Sequence, residues 1–319
     1  MKKLLSLALL SWSIAALGQT YPSKAVRFVL GFAAGGPTDV IARIVAQDMS
    51  AATGQAFIVE NRPGANAIIA TEYVARATPD GYTLLFSSLS LLVNAIMIDS
   101  KVKYDPLKDF APICNAAVLP MVVVTSPQSP FNSMQEMIAL AKSKPEEISY
   151  GTSGHGGSSH LAGAMLENAT GAKMLNVPFK GNGPALAEVM AGRVSFMFYP
   201  AVGIADHVAV KRLKVLAVGT RTPDPDFPGV PTLAQSGLAE LEQTAPWVGL
   251  LAPAGTPPAV INKLSEEMRK SLAKPETRAR MKALGAVIVA DTPAEYAVFL
   301  KKDLERWARV IQASGVRAQ

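Results

Sequence analysis

Short apolar runs alternate along this chain with longer stretches whose apolar residues recur at helical spacing. In the first third, runs at 25–30, 57–61 and 82–86 predict strands, and the stretches 37–53 and 68–76 between them predict helices. Alternating strands and helices favour parallel β-α-β units, in which ligands bind beyond the carboxyl ends of the strands. The pattern therefore predicts an α/β fold with its binding residues in strand-to-helix loops.

A second alternating set follows a long apolar run at 119–125 and the proline- and serine-rich loop after it. Near the other end of this set, a predicted strand at 247–251 precedes three closing helices. We interpret these two strands as the places where the chain crosses between two domains. Two crossings form a hinge, and the cleft between the domains can close on a ligand. The expected domains are residues 19–121 with 247–319, and residues 122–246.

The N-terminus has the three parts of a secretory signal peptide. Lys2 and Lys3 are basic, residues 4–17 are uncharged, and small residues lie just before Gln19. The apolar part is shorter than the ~20 residues that a spanning helix needs. We expect residues 1–18 to be cleaved and the mature protein to reach the periplasm.

Composition and charge narrow the class of protein. The chain is 49% hydrophobic and 18% charged, which is typical of a well-packed globular protein. Removing Lys2 and Lys3 from 31 basic residues leaves 29 against 25 acidic ones, a net charge of +4. Because these charges are mixed and lack interleaved aromatic residues, we expect no nucleic-acid partner. The single cysteine, Cys114, excludes an intrachain disulfide, and its apolar surroundings predict a small buried side chain.

Residues 31–39, with the sequence GFAAGGPTD, join the first predicted strand to the first predicted helix. Two glycines followed by proline allow a sharp turn and a helix that begins at proline. The free amides and the positive helix end at such a junction suit an anion. A tight turn that only joins strand to helix explains this stretch, taken alone, equally well. Asp39, third in the helix, is expected to accept hydrogen bonds from nearby amides rather than contact a ligand.

Residues 150–160 repeat this design in the second half of the chain. A strand leads into a loop of glycine and hydroxyl residues and then into a helix, so Thr152, Ser153, Ser158 and the loop amides can hold a carboxylate. A plain helix cap with a glycine turn is the alternative. Two such loops facing one cleft favour the ligand site.

Two further strand ends carry polar side chains that suit a ligand. Asn182, in the loop 179–184, can both donate and accept hydrogen bonds. Ser87 and Ser88 follow the strand at 82–86 and can donate hydroxyls, although serines in this position usually form only a turn.

Catalytic and metal chemistry find little support. Residues 155–158, HGGS, are similar to the oxyanion loop of lipases and esterases, but the chain lacks a Gly-x-Ser-x-Gly elbow. His155 and His160 are five residues apart across a loop-to-helix boundary, without cysteine or acidic neighbours, so a zinc site is not expected. Neither a dinucleotide nor a phosphate-loop fingerprint is present. We expect no catalytic residue, no metal and no cofactor.

Several short motifs in order make the chain resemble the extracytoplasmic receptors of the tripartite tricarboxylate transporter family, also called the Bug family. The resemblance implies a two-domain, periplasmic-binding-protein-like fold of type II that captures a small ligand, mostly a carboxylate, between its domains. The chain departs from the family pattern at Gly31 and Ala34, where proline is common, and at Ala67, where glycine is expected. The matching segments are 21–24, 32–39, 60–65, 79–85, 150–154, 178–181, 230–232 and 252–257.

The resemblance also implies which residues contact the ligand. The family's glycine-rich first loop holds the distal end of the ligand through backbone groups and bridging water. This implies Phe32, Ala33, Gly35 and Gly36 on one side, and Thr152, Ser153 and Ser158 on the other. The full expected set adds Thr38, Ser87, Ser88, Gly154, Phe179, Asn182 and Tyr199.

The expected function is that of a monomeric periplasmic receptor. It binds a small carboxylate and delivers it to the membrane permease subunits of the transporter. Two alternatives stay open: a ligand sensor that signals to a membrane kinase, and a secreted esterase. The sensor would be favoured if deleting a partner kinase abolished the cell's response to the ligand and deleting a permease did not. Ester hydrolysis that disappears on Ser153→Ala or Ser158→Ala would favour the esterase.

Overall fold

Two mixed sheets organise the chain, and the computed structural model describes residues 21–97 and 102–314. The expected signal peptide, residues 1–18, lies outside this part of the chain. The first sheet has the strand order β11-β4-β10-β3-β1-β2 and the second has the order β7-β6-β8-β5-β9. We call the parts of the molecule built on these sheets the first and the second lobe. The strands of the first sheet are β1 (Val26–Leu30), β2 (Phe57–Asn61), β3 (Thr83–Ser88), β4 (Phe110–Val118), β10 (Trp247–Pro253) and β11 (Val287–Ile288), and those of the second are β5 (Met121–Thr125), β6 (Ser149–Thr152), β7 (Leu175–Pro178), β8 (Phe196–Pro200) and β9 (Lys214–Val218).

Helices cover both sheets and connect most of the strands. Within the described residues, none of them combines the length and apolar character that a membrane span requires. They are α1 (Pro37–Thr53), α2 (Ile68–Ala75), α3 (Ser90–Met97), α4 (Met134–Ser143), α5 (Ser158–Thr170), α6 (Asn182–Met190), α7 (Ile204–Ala209), α8 (Pro258–Ala273), α9 (Pro275–Ala283) and α10 (Pro293–Ser314), with short 3-10 helices at Ala65–Ala67 and Ala239–Thr244.

Helix α1 shows how local sequence sets the ends of these elements. Gly36 caps it in an extended conformation, and Pro37 is its first residue, where a missing N–H costs no hydrogen bond. Gly54 ends the helix in the left-handed conformation and donates its N–H to Ser50 O. Ile41 and Val45 are fully buried on the side of α1 that packs on the first sheet.

The expectation of parallel β-α-β units holds for only part of each sheet. Strands β1, β2 and β3 are parallel, as are β6, β7 and β8, but β10 is antiparallel to β3 and β4, and β5 is antiparallel to β8 and β9. The parallel units expected for the two alternating sets are confirmed, and the sheets are mixed because the crossing strands run antiparallel to their neighbours. Strands β5 and β10 enter their sheets from the other lobe, without the covering helix that a parallel crossover needs.

The two crossings between the sheets lie side by side. Leu119 donates its backbone N–H to Pro246 O at 2.8 Å, which joins the outgoing chain to the returning one. The strand expected at 119–125 begins only at Met121, since Pro120 has no N–H for the ladder. Ala201 donates its N–H to Pro120 O at 2.8 Å and ties this junction to the second sheet.

Each lobe has its own hydrophobic core, and a smaller cluster joins the two. Cys114 is fully buried in the core of the first lobe, as its apolar surroundings predicted. Trp307, on α10, is fully buried where this helix packs on α3 of the first lobe and α5 of the second. We call the residues around it the interlobe cluster; they are Leu89, Val93, Leu161, Trp307 and Ile311.

Candidate functional site

Four helices begin at one small cavity between the lobes. Helices α1 and α3 come from the first lobe, and α5 and α6 come from the second. The cavity has a volume of about 20 Å³, which leaves room for little more than one water-sized group. This inner cavity is lined by Phe32, Gly36, Pro37, Thr38, Ser88, Leu89, Ser90, Leu119, Ser153, Gly157, Ser158, Asn182, Pro200 and Pro246.

The electrostatic character of the inner cavity comes from helix ends and hydroxyls. Of the described residues that line it, none carries a charge. Each helix N-terminus presents unpaired backbone N–H groups and the positive end of a macrodipole. Thr38, Ser88, Ser90 and Ser158 add hydroxyls at these helix starts. Such an arrangement favours a small anionic group over a neutral or cationic one.

Asp39 fixes the loop that leads into α1. Its carboxylate accepts hydrogen bonds from the Gly35 N–H at 3.0 Å, from Arg43 Nε at 2.8 Å and from Asn61 Nδ2 at 2.9 Å. Burial acts to raise the pKa of Asp39, but these hydrogen bonds, above all those from Arg43, outweigh it and hold the pKa below its usual value. The predicted structural role of Asp39 is confirmed, and the Gly35 amide is committed to it.

Internal hydrogen bonds also hold the loop before α5. Ser153 donates its N–H to Ser159 Oγ at 3.0 Å, and Gly157 donates its N–H to Gly154 O at 3.1 Å. Gly156 donates its N–H to His160 Nδ1 at 3.0 Å. The loop is therefore shaped by its own side chains, and its serines are positioned before any ligand arrives.

Glycines bring the loops of the two lobes into backbone contact. Ala33 of the first lobe donates its N–H to Lys180 O of the second at 3.2 Å. A methyl group built on Gly183 would lie 3.4 Å from Gly36 N and 3.6 Å from the carbonyl carbon of Gly35. The lobes are thus closed against each other at this seam, and side chains larger than alanine have no space there.

A second, larger cavity lies beside the inner one and is also shared by the lobes. Its volume is about 400 Å³, and Phe32 and Ser153 line both cavities. Unlike the inner cavity, this outer cavity includes the titratable side chains of His155 and Lys180. Its lining is Gly31, Phe32, Gly64, Ala65, Asn66, Ile68, Ser153, Gly154, His155, Phe179 and Lys180.

Nine of the residues predicted from the sequence line one or both of these cavities. They come from both lobes, so the structure brings together the loops that the sequence singled out separately. Phe32, Gly36, Thr38, Ser88, Ser153, Ser158 and Asn182 line the inner cavity, and Gly154 and Phe179 line the outer one.

The structure places the other five predicted residues elsewhere. The Ala33 and Gly35 amides are committed to the contacts described above. Thr152 donates its hydroxyl to Asn176 Oδ1 at 2.9 Å, across to the neighbouring strand. Ser87 is buried within the pairing of β3 with β10, and Tyr199 is packed in the core of the second lobe.

Sequence reasoning missed several cavity residues. Leu119, Pro200 and Pro246 lie at the two crossings or at a strand end, and their apolar side chains gave no local signal of a binding role. His155 was considered only as a metal ligand or as part of an oxyanion loop. Asn66 follows the motif at 60–65, but no pattern in the sequence pointed to its side chain.

The turn at 65–67 holds three consecutive residues in the left-handed region. Ala65 and Asn66 have φ of 47° and Ala67 has φ of 74°, which is unfavourable for alanine. A methyl group built on Gly31 would lie 2.1 Å from the Ala67 side chain, so two of the departures from the family pattern contact each other. The small size of Gly31 makes room for the side chain at position 67.

His160 gives the site a pH-dependent stability. Burial, and secondly the nearby His155, lower its pKa to about 4, from about 6.5 in an unfolded chain. Between these values the unfolded chain binds a proton that the folded one refuses, so the stability falls as the pH drops. We expect this loss to reach about 2 kcal/mol at pH 5 relative to pH 7.5.

The variant His160→Gln keeps an acceptor for the Gly156 N–H but does not titrate. Urea unfolding at pH 7.5 and pH 5 should therefore show a smaller loss of stability for the variant than for the wild type. Burial raises the pKa of Asp291 to about 6, which gives an opposite slope in both proteins and cancels in the difference. Equal losses in the two proteins would contradict the assignment to His160.

A family model and solved structures both match the chain over most of its length. The family model described as "Tripartite tricarboxylate transporter family receptor" matches residues 41–316. Among solved structures, the chain is similar to the periplasmic binding protein BugD, at 33% identity and a TM-score of 0.89. The match covers 94% of this chain and 100% of that one. The fold is therefore the two-domain α/β fold of periplasmic binding proteins.

Two further similar structures contain acids. Rpa4515 of R. palustris, with adipate, is 29% identical at a TM-score of 0.88 and covers 93% of this chain and 99% of its own. MatC from Rhodopseudomonas palustris, with bound malate, is 30% identical at a TM-score of 0.86 and covers 91% and 100% respectively. Both ligands are small dicarboxylates.

Proposed function

The chain belongs to the tripartite tricarboxylate transporter receptor family, and we propose that it is a periplasmic receptor that binds a small carboxylate between its lobes. The observation that carries this proposal is the convergence of four helix N-termini on one cavity lined by uncharged residues. Backbone N–H groups and hydroxyls can hold a carboxylate there without a basic side chain. The adipate in Rpa4515 and the malate in MatC support the same class of ligand.

Each of the two cavities binds a different part of the ligand. The carboxylate occupies the inner cavity at the helix starts, and the rest of the ligand occupies the outer cavity. Because the inner cavity of about 20 Å³ admits little more than one water-sized group, the lobes must separate before a ligand can enter. Closure then excludes water and strengthens the hydrogen bonds to the anion.

The proposal also covers export, oligomeric state and domain boundaries. A cleaved signal peptide at residues 1–18 would export the protein, and a monomer would deliver its ligand to permease subunits. We propose lobes that meet near 121 and 246, which the hydrogen bond between Leu119 and Pro246 at the crossings supports. We propose no catalytic role, since the chain lacks the Gly-x-Ser-x-Gly elbow that an esterase nucleophile needs.

Thermal unfolding with a panel of mono- and dicarboxylates, adipate and malate included, tests the function. A ligand at 100 times its Kd should stabilise the protein by about 2.7 kcal/mol, which appears as a clear rise in Tm. Isothermal titration calorimetry then gives the Kd. The dimethyl ester of the best acid is the control, because it keeps the skeleton but removes the charge, and it should leave Tm unchanged.

Two outcomes would contradict the proposal. One is that no acid of the panel raises Tm, and the other is that the dimethyl ester binds as tightly as the free acid. Turnover of an ester that is lost in Ser153→Ala or Ser158→Ala would indicate a hydrolase instead.

A further inference from the structure

Asn66 is a buried polar residue in the lining of the outer cavity. It lies in the 3-10 helix Ala65–Ala67 of the first lobe, where its φ and ψ are both 47°. Only 8% of the residue is exposed, although it lines the cavity that both lobes share. A polar side chain buried to this degree normally makes all of its hydrogen bonds.

A pair of hydrogen bonds with Asn94 fixes the orientation of the Asn66 amide. Asn94 donates its Nδ2 hydrogen to the backbone O of Asn66 at 2.8 Å, so its own Oδ1 must face Asn66. Asn66 Nδ2 donates to that Oδ1 at 2.9 Å. Turning the Asn94 amide would break both bonds, and turning the Asn66 amide would break the bond to Asn94 Oδ1. The Asn66 Oδ1 is therefore held on the other side, away from Asn94.

This Oδ1 faces the second lobe and has no hydrogen-bond partner among the described residues. A methyl group built on Gly157 would lie 3.4 Å from Asn66 Oδ1 and even closer, 2.2 Å, to Ser153 Oγ. The amide oxygen is thus near Ser153, which lines both cavities. His155 Nδ1 also has no hydrogen-bond partner among the described residues. His155, like Asn66, lines the outer cavity.

We propose that Asn66 Oδ1 recognises a hydrogen-bond donor on the carbon skeleton of the ligand, a hydroxyl or an ammonium group. This inference rests on the proposed function and narrows its ligand class to hydroxy acids or amino acids. An amide oxygen only accepts hydrogen bonds, so an unsubstituted acid leaves it unpaired in the closed protein. Leaving a buried acceptor unpaired carries a large penalty, whereas a ligand that pairs with it avoids that penalty.

Matched acids test this preference. The acid that raises Tm most in the panel fixes the skeleton, and its unsubstituted, 2-hydroxy and 2-amino forms are then compared by calorimetry. For a four-carbon skeleton these are succinate, malate and aspartate. We expect the hydroxy or the amino form to bind at least about tenfold more tightly than the unsubstituted form.

The variant Asn66→Gly removes the amide and suits the left-handed backbone at this position. It should reduce the preference to less than about threefold, chiefly by weakening the binding of the substituted acid. Ala67→Gly is the matched control, because it adds a glycine to the same turn without removing a polar group and should keep the wild-type preference.

The outcomes separate this inference from the proposed function. Equal affinity of the wild type for the three forms would overturn the inference and leave the carboxylate receptor intact. A preference that persists in Asn66→Gly would also overturn it. If no acid binds at all, the proposed function fails and the inference fails with it. Should Asn66→Gly not fold, the comparison of the three acids on the wild type still decides.

Discussion

Replacing Gly183 with tryptophan is expected to weaken ligand binding by about 100-fold while the protein still folds. In the closed structure a methyl group at this position already lies at van der Waals distance from the backbone of Gly35 and Gly36. An indole cannot fit there, because the atoms it meets belong to the backbone and cannot move aside as a side chain could. We take the cost of closure as about 3 kcal/mol, the upper end of typical overpacking, and each 1.4 kcal/mol is a factor of ten in affinity.

Calorimetry with the best acid of the panel measures this effect. Gly183→Ala is the control and should bind within about threefold of the wild type, since its methyl group makes only an ordinary contact. The Tm of both variants without ligand should stay close to that of the wild type, because the lobes can move apart and relieve the clash with the indole. Normal affinity of Gly183→Trp would show that binding does not need the closed seam.

Truncation of Trp307 to alanine is expected to lower the free energy of unfolding by about 3–5 kcal/mol. The indole is fully buried in the interlobe cluster, against Leu89 and Val93 of one lobe and Leu161 of the other. Its loss leaves a cavity where α10 packs on both α3 and α5, so the neighbouring helices cannot simply close over it. Urea unfolding followed by circular dichroism measures the change.

Trp307→Phe provides the matched comparison. The phenyl ring keeps most of the apolar volume and removes an indole N–H that is buried without a partner among the described residues. Because an unsatisfied buried donor costs about 1–3 kcal/mol, its removal offsets much of the lost packing. We expect Trp307→Phe to stay within about 1.5 kcal/mol of the wild type. A loss below about 1 kcal/mol for Trp307→Ala would refute the assigned packing role.

The positions of the site loops could be predicted because their signals are local. Glycine, proline and hydroxyl residues at the ends of apolar runs marked the loops at 31–39 and 150–160, and both line the inner cavity. The same reasoning singled out Asn182, although it was expected in the loop 179–184 and the structure makes it the first residue of α6. Turn preferences of this kind depend on residues that are neighbours in the chain, so they can be predicted without knowing the fold.

What the sequence could not supply depends on contacts between distant segments. The apolar run of β10 looks the same whether its neighbours are parallel or antiparallel, so the mixed sheets were not foreseen. Adjacent strand residues face opposite ways, which puts Tyr199 in the core and Pro200 at the cavity. The orientation of the Asn66 amide depends on Asn94, which is 28 positions away along the chain.

The inner cavity is built from main-chain donors at helix starts, and this has an evolutionary consequence. Substitutions change side chains and leave peptide groups in place, so under the proposed function the grip on the anion tolerates wide sequence drift. New metabolites can then be accommodated by altering the neighbouring chamber alone, at positions such as Asn66, His155 and Lys180. Receptors built this way can change their ligand specificity while the site that binds the anion stays the same.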